Sequence, residues 1–386
     1  MPRPLWLFSL VNLVIGTGAF VITGTLALLA SDLGIGIAAA GQAMTTYALS
    51  TALLAPLLLL ATGHWPRKRT LLLALALFAA GNVLCALADS LGALLLGRAL
   101  MGVGAVFTPI AAGIALALVE PARRGQALAF VFLGFSLSYG VGVPLGTWIG
   151  LTWGWQAPIW LVAGLVVLAT AAVAWRVPPD IASPGASFAG VGGLLAQREV
   201  QLVLALTLLY FTAIFAAFSY IGPVLQALLP MSSERLSITL ALFGLAGVAG
   251  TLIGGRLNDR FGSRRTLSVQ LSLLGAMMAL LPLTAGSWPA MLVVLMLWAC
   301  AGFGMMPPQQ SWLAALAPAQ APLLLSLNSS MLYLGTAAGA IVGGALASLL
   351  GLQQLGWAGL PFVALALVLL RLGPTSLPIP NPERPA

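Results

Sequence analysis

The sequence predicts an all-α integral membrane protein with twelve membrane-spanning helices. Of the 386 residues, 60% are hydrophobic and only 6% are charged, whereas a soluble domain carries about 25% charged residues. Long apolar runs follow one another along the chain, and short clusters of arginine, glycine and proline separate them. With so few charges, this chain could not cover the surface of a soluble globule.

Each predicted span rests on the length of its apolar run. A membrane helix needs about 20 mostly apolar residues, and breaking the chain at its polar, glycine and proline clusters leaves twelve such runs. The first run follows Arg3 and, at about 26 residues, exceeds the 7–15-residue core of a signal peptide, so we interpret it as a span. The predicted spans are 5–30, 40–62, 70–88, 92–118, 125–150, 156–176, 201–227, 236–258, 267–285, 289–315, 322–349 and 353–372.

The basic residues predict how these spans are oriented. Among the 16 Lys and Arg residues, Arg235 alone falls in a connection on one side, and Arg98 alone falls within a span away from its ends. All the others fall on the opposite side. Because Lys and Arg concentrate in cytoplasmic loops, we expect both termini in the cytoplasm and the connections at Asp32 and Asp89 outside.

The chain also divides into two halves of six spans. The segment 177–200 is rich in Pro, Gly, Ala and Ser and is predicted to be a cytoplasmic linker. Residues 1–176 and 201–386 are then two helical bundles. An internal repeat supports this division, because "RTLLLALALFAAG" (69–81) and "RTLSVQLSLLGAM" (265–277) each open a third span after a basic turn.

Both halves carry a stripe of small residues in their fifth span. Gly142 and Gly146 belong to a series with a four-residue spacing, with Pro144 between them, and Gly335 and Gly339 repeat the pattern in the second half. Small residues at this spacing let helix backbones approach closely. The stripes indicate either static packing or an interface that slides when the protein changes conformation.

The stretch "GGRLNDRFGSRRTL" (254–267) gathers charge into the predicted connection between spans 8 and 9. Its glycines permit a tight turn, and its aspartate can pair with an arginine or face the positive N-terminus of a helix. A topology signal alone needs neither feature. We therefore expect a charged latch that stabilises one state of a moving helix pair. Its predicted members are Gly255, Asp259, Arg260, Gly262, Arg264 and Arg265.

This stretch resembles the G-x-L-a-D-R-x-G-R-R loop of major facilitator transporters, which those proteins often carry in both halves. The first-half turn, "GHWPRKRTL" (63–71), is shorter and lacks the D-R-x-G portion, so a symmetric latch is not expected. The segment 94–150 resembles spans 4 and 5 of the sugar and drug efflux branch, the arabinose-efflux-permease-like proteins and drug:H+ antiporters. Arg98 matches the buried arginine of that branch, and "GVPLGTWIG" (142–150) matches its antiporter motif in shortened form.

The resemblance implies a major facilitator fold, in which two six-helix bundles rock about a central site. It implies secondary active export of a small organic solute, a sugar or a drug-like compound, from a bacterial cytoplasm by proton antiport. The expected location is the bacterial inner membrane, and the expected partners are a small-molecule substrate, protons and the lipid bilayer. We expect a monomer.

Arg98 is the one charge that lies inside a predicted span and away from its ends. Such a charge is costly, usually functional and in need of a partner, so we expect it to face inward; the alternative is snorkelling to the outer interface near Asp89. No acid falls in the middle of a span, and backbone carbonyls or polar groups are the expected partners. Proton coupling would have to use Asp32 at the outer end, or Arg98 with water.

Polar and aromatic residues stranded within spans are candidates for lining a substrate cavity. Such side chains also fill gaps between helices, so part of the set is expected to be packing. Without a carboxylate, the cavity suits neutral, amphipathic or anionic solutes and binds strongly cationic drugs poorly. The candidates are Asn12, Thr17, Tyr47, Tyr139, Tyr210, Phe211, Phe215, Phe218, Tyr220, Gln309, Gln310, Asn328 and Tyr333.

Other function classes lack support in the sequence. Cys85 and Cys300 have no paired spacing and His64 is the only histidine, so neither a disulfide framework nor a metal site is expected. The scattered arginines form no basic face for nucleic acid. No phosphate-binding or hydrolase motif is present, and we expect neither enzymatic activity nor a cofactor. Two alternatives stay open: an uncoupled facilitator of a neutral metabolite, and a non-transporting membrane sensor with the same fold.

Overall fold

The computed structural model describes residues 3–120, 124–178, 191–317 and 320–372, and every regular element in these ranges is a helix. Twelve stretches are long and apolar enough to cross a membrane, which confirms the predicted count. Most boundaries agree with the sequence within a few residues. Numbered in chain order, the spans are Pro4–Asp32, Ile37–Ala61, Arg67–Ala86, Leu91–Ala115, Gln126–Trp153, Gln156–Arg176, Arg198–Phe218, Ser233–Phe261, Ser263–Thr284, Trp288–Leu316, Leu323–Leu350 and Leu352–Leu372.

Spans 1 and 7 are broken at corresponding places. Span 1 consists of a helix at Arg3–Phe20 and a second helix at Ile22–Asp32. Span 7 ends at Phe218, and the chain continues as a short helix at Ile221–Leu228. This break explains why the predicted end of span 7, at residue 227, lies beyond the observed end.

Spans 2 and 5 each contain a π-helical turn, at Ser50–Leu54 and at Ser138–Gly142. A proline follows each turn, Pro56 in span 2 and Pro144 in span 5. Because proline has no backbone N–H to donate, the regular helical ladder cannot continue through it, and the widened turn absorbs the mismatch. Such π-bulges are frequent at functional sites.

The spans form two six-helix bundles, and their ends lie at two faces of the molecule. We call the face that carries Asp32, Asp89 and Glu234 the acidic end. We call the opposite face, where spans 3 and 12 place Arg67 and Arg371, the arginine-rich end. Within the bundles, span 1 packs along span 5 and span 7 packs along span 11.

Contacts between the two bundles concentrate at the acidic end. Ile37–Leu49 of span 2 contacts span 11, and Val143–Trp153 of span 5 contacts span 8. The second helix of span 1, Ile22–Asp32, contacts Ile221–Leu228 after span 7. Each of these segments leads to the acidic end, so the bundles are closed against each other there.

The glycine stripes lie inside the bundles rather than between them. A Cβ atom at Gly142 would collide with the side chain of Thr17 in span 1. A Cβ atom at Gly339 would lie 2.7 Å from the carbonyl oxygen of Thr212 in span 7. Both stripes therefore pack parallel neighbours within one bundle, which favours the static alternative for Gly142, Pro144 and Gly146.

The predicted linker, 177–200, includes residues outside the described ranges. Arg176 ends span 6, Val191–Leu195 forms a short helix, and Arg198 begins span 7. The domain boundaries at 176 and 201 stay predictions.

Candidate functional site

A continuous group of aromatic rings joins the two bundles. Phe20 of span 1 stacks on Tyr139 of span 5, with ring centroids 4.8 Å apart, and approaches Phe215 of span 7 at 5.9 Å. Tyr139 in turn lies 4.8 Å from Phe303 and 6.0 Å from Phe218 in the second bundle. These separations fall in the range that aromatic pairs prefer, about 4.5–7 Å. We call the group the central aromatic cluster; it consists of Phe20, Phe135, Tyr139, Phe211, Phe215, Phe218, Phe243 and Phe303.

A second aromatic contact crosses the bundle boundary between spans 2 and 11. The rings of Tyr47 and Tyr333 lie 6.4 Å apart in an edge-to-face arrangement. Tyr47 is fully buried, and within the described chain its hydroxyl has no hydrogen-bond partner. The guanidinium carbon of Arg98 lies 4.9 Å from the Tyr47 ring centre. The aromatic contact is therefore adjacent to a buried positive charge.

Arg98 is held by backbone carbonyls. Its Nη1 donates to the carbonyl of Gly18 at 2.9 Å and its Nη2 to that of Ala19 at 2.6 Å. Its Nε donates to the carbonyl of Ala43 in span 2 at 3.1 Å. Gly18 and Ala19 lie in the last turn of the Arg3–Phe20 helix, where carbonyls lack helical partners and carry partial negative charge.

Two expectations about Arg98 are thus settled by its geometry. The side chain is only 2% exposed, so it faces inward and does not snorkel. Carbonyl groups are its partners, as expected. Its roles in gating and in proton coupling stay predictions.

The described carboxylates all lie away from this charge. Glu199, in the first turn of span 7, is half-buried. The others in the described ranges are exposed: Asp32, Asp89, Glu120, Glu234 and Asp259. Arg98 therefore places a positive charge in the membrane interior that no described acid neutralises, and oriented carbonyls stabilise it instead.

Asp32 and Arg98, the two candidates for proton coupling, are not brought together. Asp32 accepts hydrogen bonds from Trp155 Nε1 at 2.7 Å and from Gln156 Nε2 at 3.1 Å at the acidic end. Arg98 binds the carbonyl of Ala19, and a helix from there to Asp32 spans about 20 Å. A direct proton transfer between the two side chains has no path in this conformation.

Asn12 does not line the bundle interface. Its Nδ2 donates to the carbonyl of Val131 at 3.0 Å, and its Oδ1 accepts from Thr108 Oγ1 at 2.8 Å. The fully buried amide thereby joins spans 1, 4 and 5, in keeping with the rule that buried polar groups are hydrogen-bonded. Asn12 acts as an intrabundle tie.

The second bundle repeats this arrangement at spans 7, 10 and 11. Thr207 Oγ1 donates to Asn328 Oδ1 at 2.6 Å. Gln309 Nε2 donates to Thr207 Oγ1 at 2.6 Å and also to the carbonyl of Val203. Gln309 and Asn328 are therefore intrabundle ties rather than cavity residues. We call the two groups the polar nodes: Asn12 with Thr108, and Gln309 with Thr207 and Asn328.

Two more cavity candidates also lie outside the bundle interface. Thr17 donates to the carbonyl of Leu13 at 2.7 Å and packs on the span 5 stripe, and Gln310 is exposed. Tyr220 donates to the carbonyl of Ala340 at 2.8 Å, and its ring and hydroxyl lie against Gly41 of span 2, so it does contact the other bundle.

Besides Tyr220, six candidates lie in the bundle interface or extend from it. The contacts across the boundary described above are made by Tyr47, Tyr139, Phe215, Phe218 and Tyr333. Phe211 extends the central aromatic cluster within span 7. Tyr210 is buried beside Phe211, with ring centroids 4.7 Å apart.

Sequence reasoning missed Phe20, Phe135, Phe243 and Phe303, because phenylalanine does not stand out in an apolar span. One signal could have found Phe20: Phe20-x-x-x-Gly24 recurs as Phe218-x-x-x-Gly222 in the other half.

The charged hairpin between spans 8 and 9 lies at the arginine-rich end. Gly262 has φ +77° and makes the turn between the helices. Gly254 packs against the backbone of Gly304, whereas a Cβ at Gly255 would meet nothing within 4 Å. The close helix approach is therefore made by Gly254 and not by Gly255, the predicted latch member.

The proposed latch residues are not paired with one another here. Asp259 is exposed and makes no ion pair or hydrogen bond with any described residue. Arg264 donates to the carbonyl of Arg371 at 2.8 Å, and Arg260 lies over the ring of Phe261 at 5.2 Å. In this conformation Asp259, the acid of the predicted latch at the arginine-rich end, therefore pairs with no described residue, while the contacts between the bundles concentrate at the acidic end.

Comparison with known proteins gives the family. The family model described as Major Facilitator Superfamily matches residues 8–320 and 203–386. YbcL, an uncharacterized MFS-type transporter of Bacillus subtilis (strain 168), is 31% identical over 365 residues, which cover 94% of each chain. A chloramphenicol resistance protein of Streptomyces lividans is 32% identical over 269 residues, 67% of this chain and 68% of the relative.

A solved structure shows the same fold. It is the crystal structure of a bacterial homolog to the human lysosomal transporter Spinster, in an inward-facing and occupied conformation. The two chains superpose with a TM-score of 0.82 at 18% sequence identity, over 97% of each. The chain therefore belongs to the major facilitator superfamily, and is a multi-pass membrane protein and secondary transporter of the alternating-access type.

Proposed function

We propose that the protein exports an uncharged or anionic aromatic amphiphile across the inner membrane of a bacterium. One observation carries the proposal: the Tyr47 and Tyr333 rings, one from each bundle, meet beside the buried Arg98, and no described carboxylate pairs with that charge. Aromatic faces and edges contribute stacking energy to a ring-bearing solute. A buried positive charge in a medium of low dielectric constant repels a cationic solute.

The arrangement of the bundles supports loading from one side. Their contacts concentrate at the acidic end, and Asp259, which pairs with no described residue, lies at the arginine-rich end. By the positive-inside rule, the arginine-rich end faces the cytoplasm. In this conformation a solute would reach the centre from the cytoplasm, as an exporter requires. Closure of that end would then engage Asp259 with a nearby arginine or helix N-terminus.

A relative suggests the first solute to test. The Streptomyces lividans protein is named for chloramphenicol resistance, and chloramphenicol is an uncharged aromatic amphiphile. Its chemistry fits the central aromatic cluster without requiring a carboxylate, and export would account for resistance. We propose it as a test substrate that represents the class.

Proton antiport is the proposed energy source, on the resemblance to the efflux branch. Asp32 ends span 1, and the second helix of that span, Ile22–Asp32, contacts the other bundle. The uncoupled facilitator is a second candidate, because no described carboxylate pairs with Arg98.

Flux in proteoliposomes separates these possibilities. Purified protein is reconstituted, and counterflow of labelled chloramphenicol is measured with and without a pH gradient, with cationic ethidium as the matched probe. The proposal predicts chloramphenicol flux above protein-free vesicles and little ethidium flux. Accumulation that requires the pH gradient supports antiport, and equilibration that ignores the gradient supports the facilitator. Absence of flux for any aromatic amphiphile would favour the sensor alternative.

A further inference from the structure

A surface groove lies between spans 8 and 9 at the arginine-rich end, outside the central aromatic cluster. Its volume is about 440 Å³. Leu257 and Phe261 of span 8 and Val269 of span 9 form its apolar walls, and Arg265 lies at its edge. The Phe261 and Val269 side chains are 47% and 63% exposed. In a membrane span, exposed apolar walls of this kind face acyl chains.

The charges around the groove are mostly positive. Arg265 is exposed and makes no ion pair or hydrogen bond with any described residue. Arg256 and Arg260 are exposed on the same hairpin, and Asp259 is the single acid among them. The groove thus combines an apolar wall within the membrane with unneutralised arginine charge at the membrane surface.

We propose that this groove binds an anionic phospholipid, with its phosphate at Arg265 and an acyl chain along Leu257, Phe261 and Val269. Basic pockets between membrane helices at the cytoplasmic side are suited to anionic headgroups. The charge complementarity selects an anionic lipid over a zwitterionic one, and the apolar walls select a lipid over free phosphate. The site is independent of the proposed export function.

Lipid retention by the purified full-length protein tests the proposal. The protein in detergent is titrated with phosphatidylglycerol or phosphatidylcholine, and bound lipid is counted by native mass spectrometry. Arg265→Gln removes the charge, and Val269→Trp fills the groove while keeping the charge. Arg176→Gln is the matched control, because Arg176 is an exposed arginine of the other bundle that lies over Trp175 at 5.3 Å.

The wild type should retain phosphatidylglycerol in preference to phosphatidylcholine. Arg265→Gln should weaken phosphatidylglycerol binding about fivefold, the loss expected for one charge at an anionic membrane surface. Val269→Trp should weaken it as well, and Arg176→Gln should leave it unchanged. Thermal unfolding shows whether each variant is folded.

Three results would overturn the proposal. Equal losses in Arg265→Gln and Arg176→Gln would mean general attraction to the basic surface. Unchanged binding in a folded Val269→Trp variant would mean that the groove holds no acyl chain. Displacement of the lipid by millimolar inorganic phosphate would mean a phosphate site without a lipid.

Discussion

A methyl group at Gly244 should prevent the bundles from closing at the acidic end as they do here. Gly244 of span 8 crosses span 5 at Tyr139 and Gly140. A Cβ at this position would lie 2.6 Å from the Cα of Gly140 and would collide with the carbonyl group of Tyr139. Because the obstructing atoms are backbone, no change of side-chain rotamer relieves the collision, and the two bundles must separate.

The size of the effect follows from this contact. Overpacking a tight interface by a methylene-sized group costs about 1–3 kcal/mol. If the cost falls only on the closed arrangement, the ratio of closed to open molecules decreases by about 5- to 160-fold at 25 °C. Gly255→Ala is the matched control on the same helix, because a Cβ there meets nothing within 4 Å.

Spin-label distances measure this ratio. Labels at Ser31→Cys and Gln354→Cys report the separation of the bundles at the acidic end, where both positions are exposed, in a background with Cys85→Ala and Cys300→Ala. The wild type and Gly255→Ala should share a short-distance population that Gly244→Ala largely loses. A Gly244→Ala distribution that matches the control would refute the packing argument.

Three further predictions concern single side chains. Arg98→Gln should abolish most chloramphenicol flux and lower the thermal unfolding midpoint. The substitution leaves carbonyl groups of spans 1 and 2 without a hydrogen-bond donor, and each unpaired group costs about 1–3 kcal/mol of stability. Normal flux in this variant would exclude a role for the charge. Asn12→Leu should destabilise the protein by about 1–3 kcal/mol without changing the Kd for chloramphenicol. A change in Kd at constant stability would instead indicate that Asn12 lines the substrate cavity. Asp259→Asn should slow flux without reducing membrane insertion, and full flux would argue against the latch.

The fold was predictable because it depends on the overall composition and on the hydropathy averaged over runs of about 20 residues. Apolar length determines the number of spans, and the absence of mid-span acids correctly predicts that Arg98 binds carbonyls. A break such as the one after Phe218 is harder to predict, because no proline occurs at the break itself, and a local departure from the helix depends on tertiary contacts.

The site was only partly predictable because polarity alone does not show which way a side chain points. Asn12 and Tyr47 are both unusual residues for a membrane span, yet Asn12 ties three helices of one bundle while Tyr47 reaches the other bundle. Phe20 and Phe243 carry no contrast with their apolar neighbours, so their membership of the cluster emerges only from packing. A glycine spacing likewise reveals a close contact at Gly142 but not the helix on the other side of it.

The latch shows a different limit. The sequence at Asp259 indicates a charged switch, but pairing depends on which conformation the two bundles adopt. Here the bundles meet at the acidic end and Asp259 makes no bond among the described residues.

The measurement that tests the central claim most directly is equilibrium binding of labelled chloramphenicol to the purified protein and to Tyr139→Leu. Tyr139 contacts rings of both bundles, and losing one aromatic partner, at about 0.5–1.5 kcal/mol, should raise the Kd by about 2- to 13-fold. Phe132→Leu is the control, because Phe132 lies in the same span and is 44% exposed; its Kd should equal that of the wild type. Absence of saturable binding, or an equal shift in both variants, would contradict a substrate site at the central aromatic cluster.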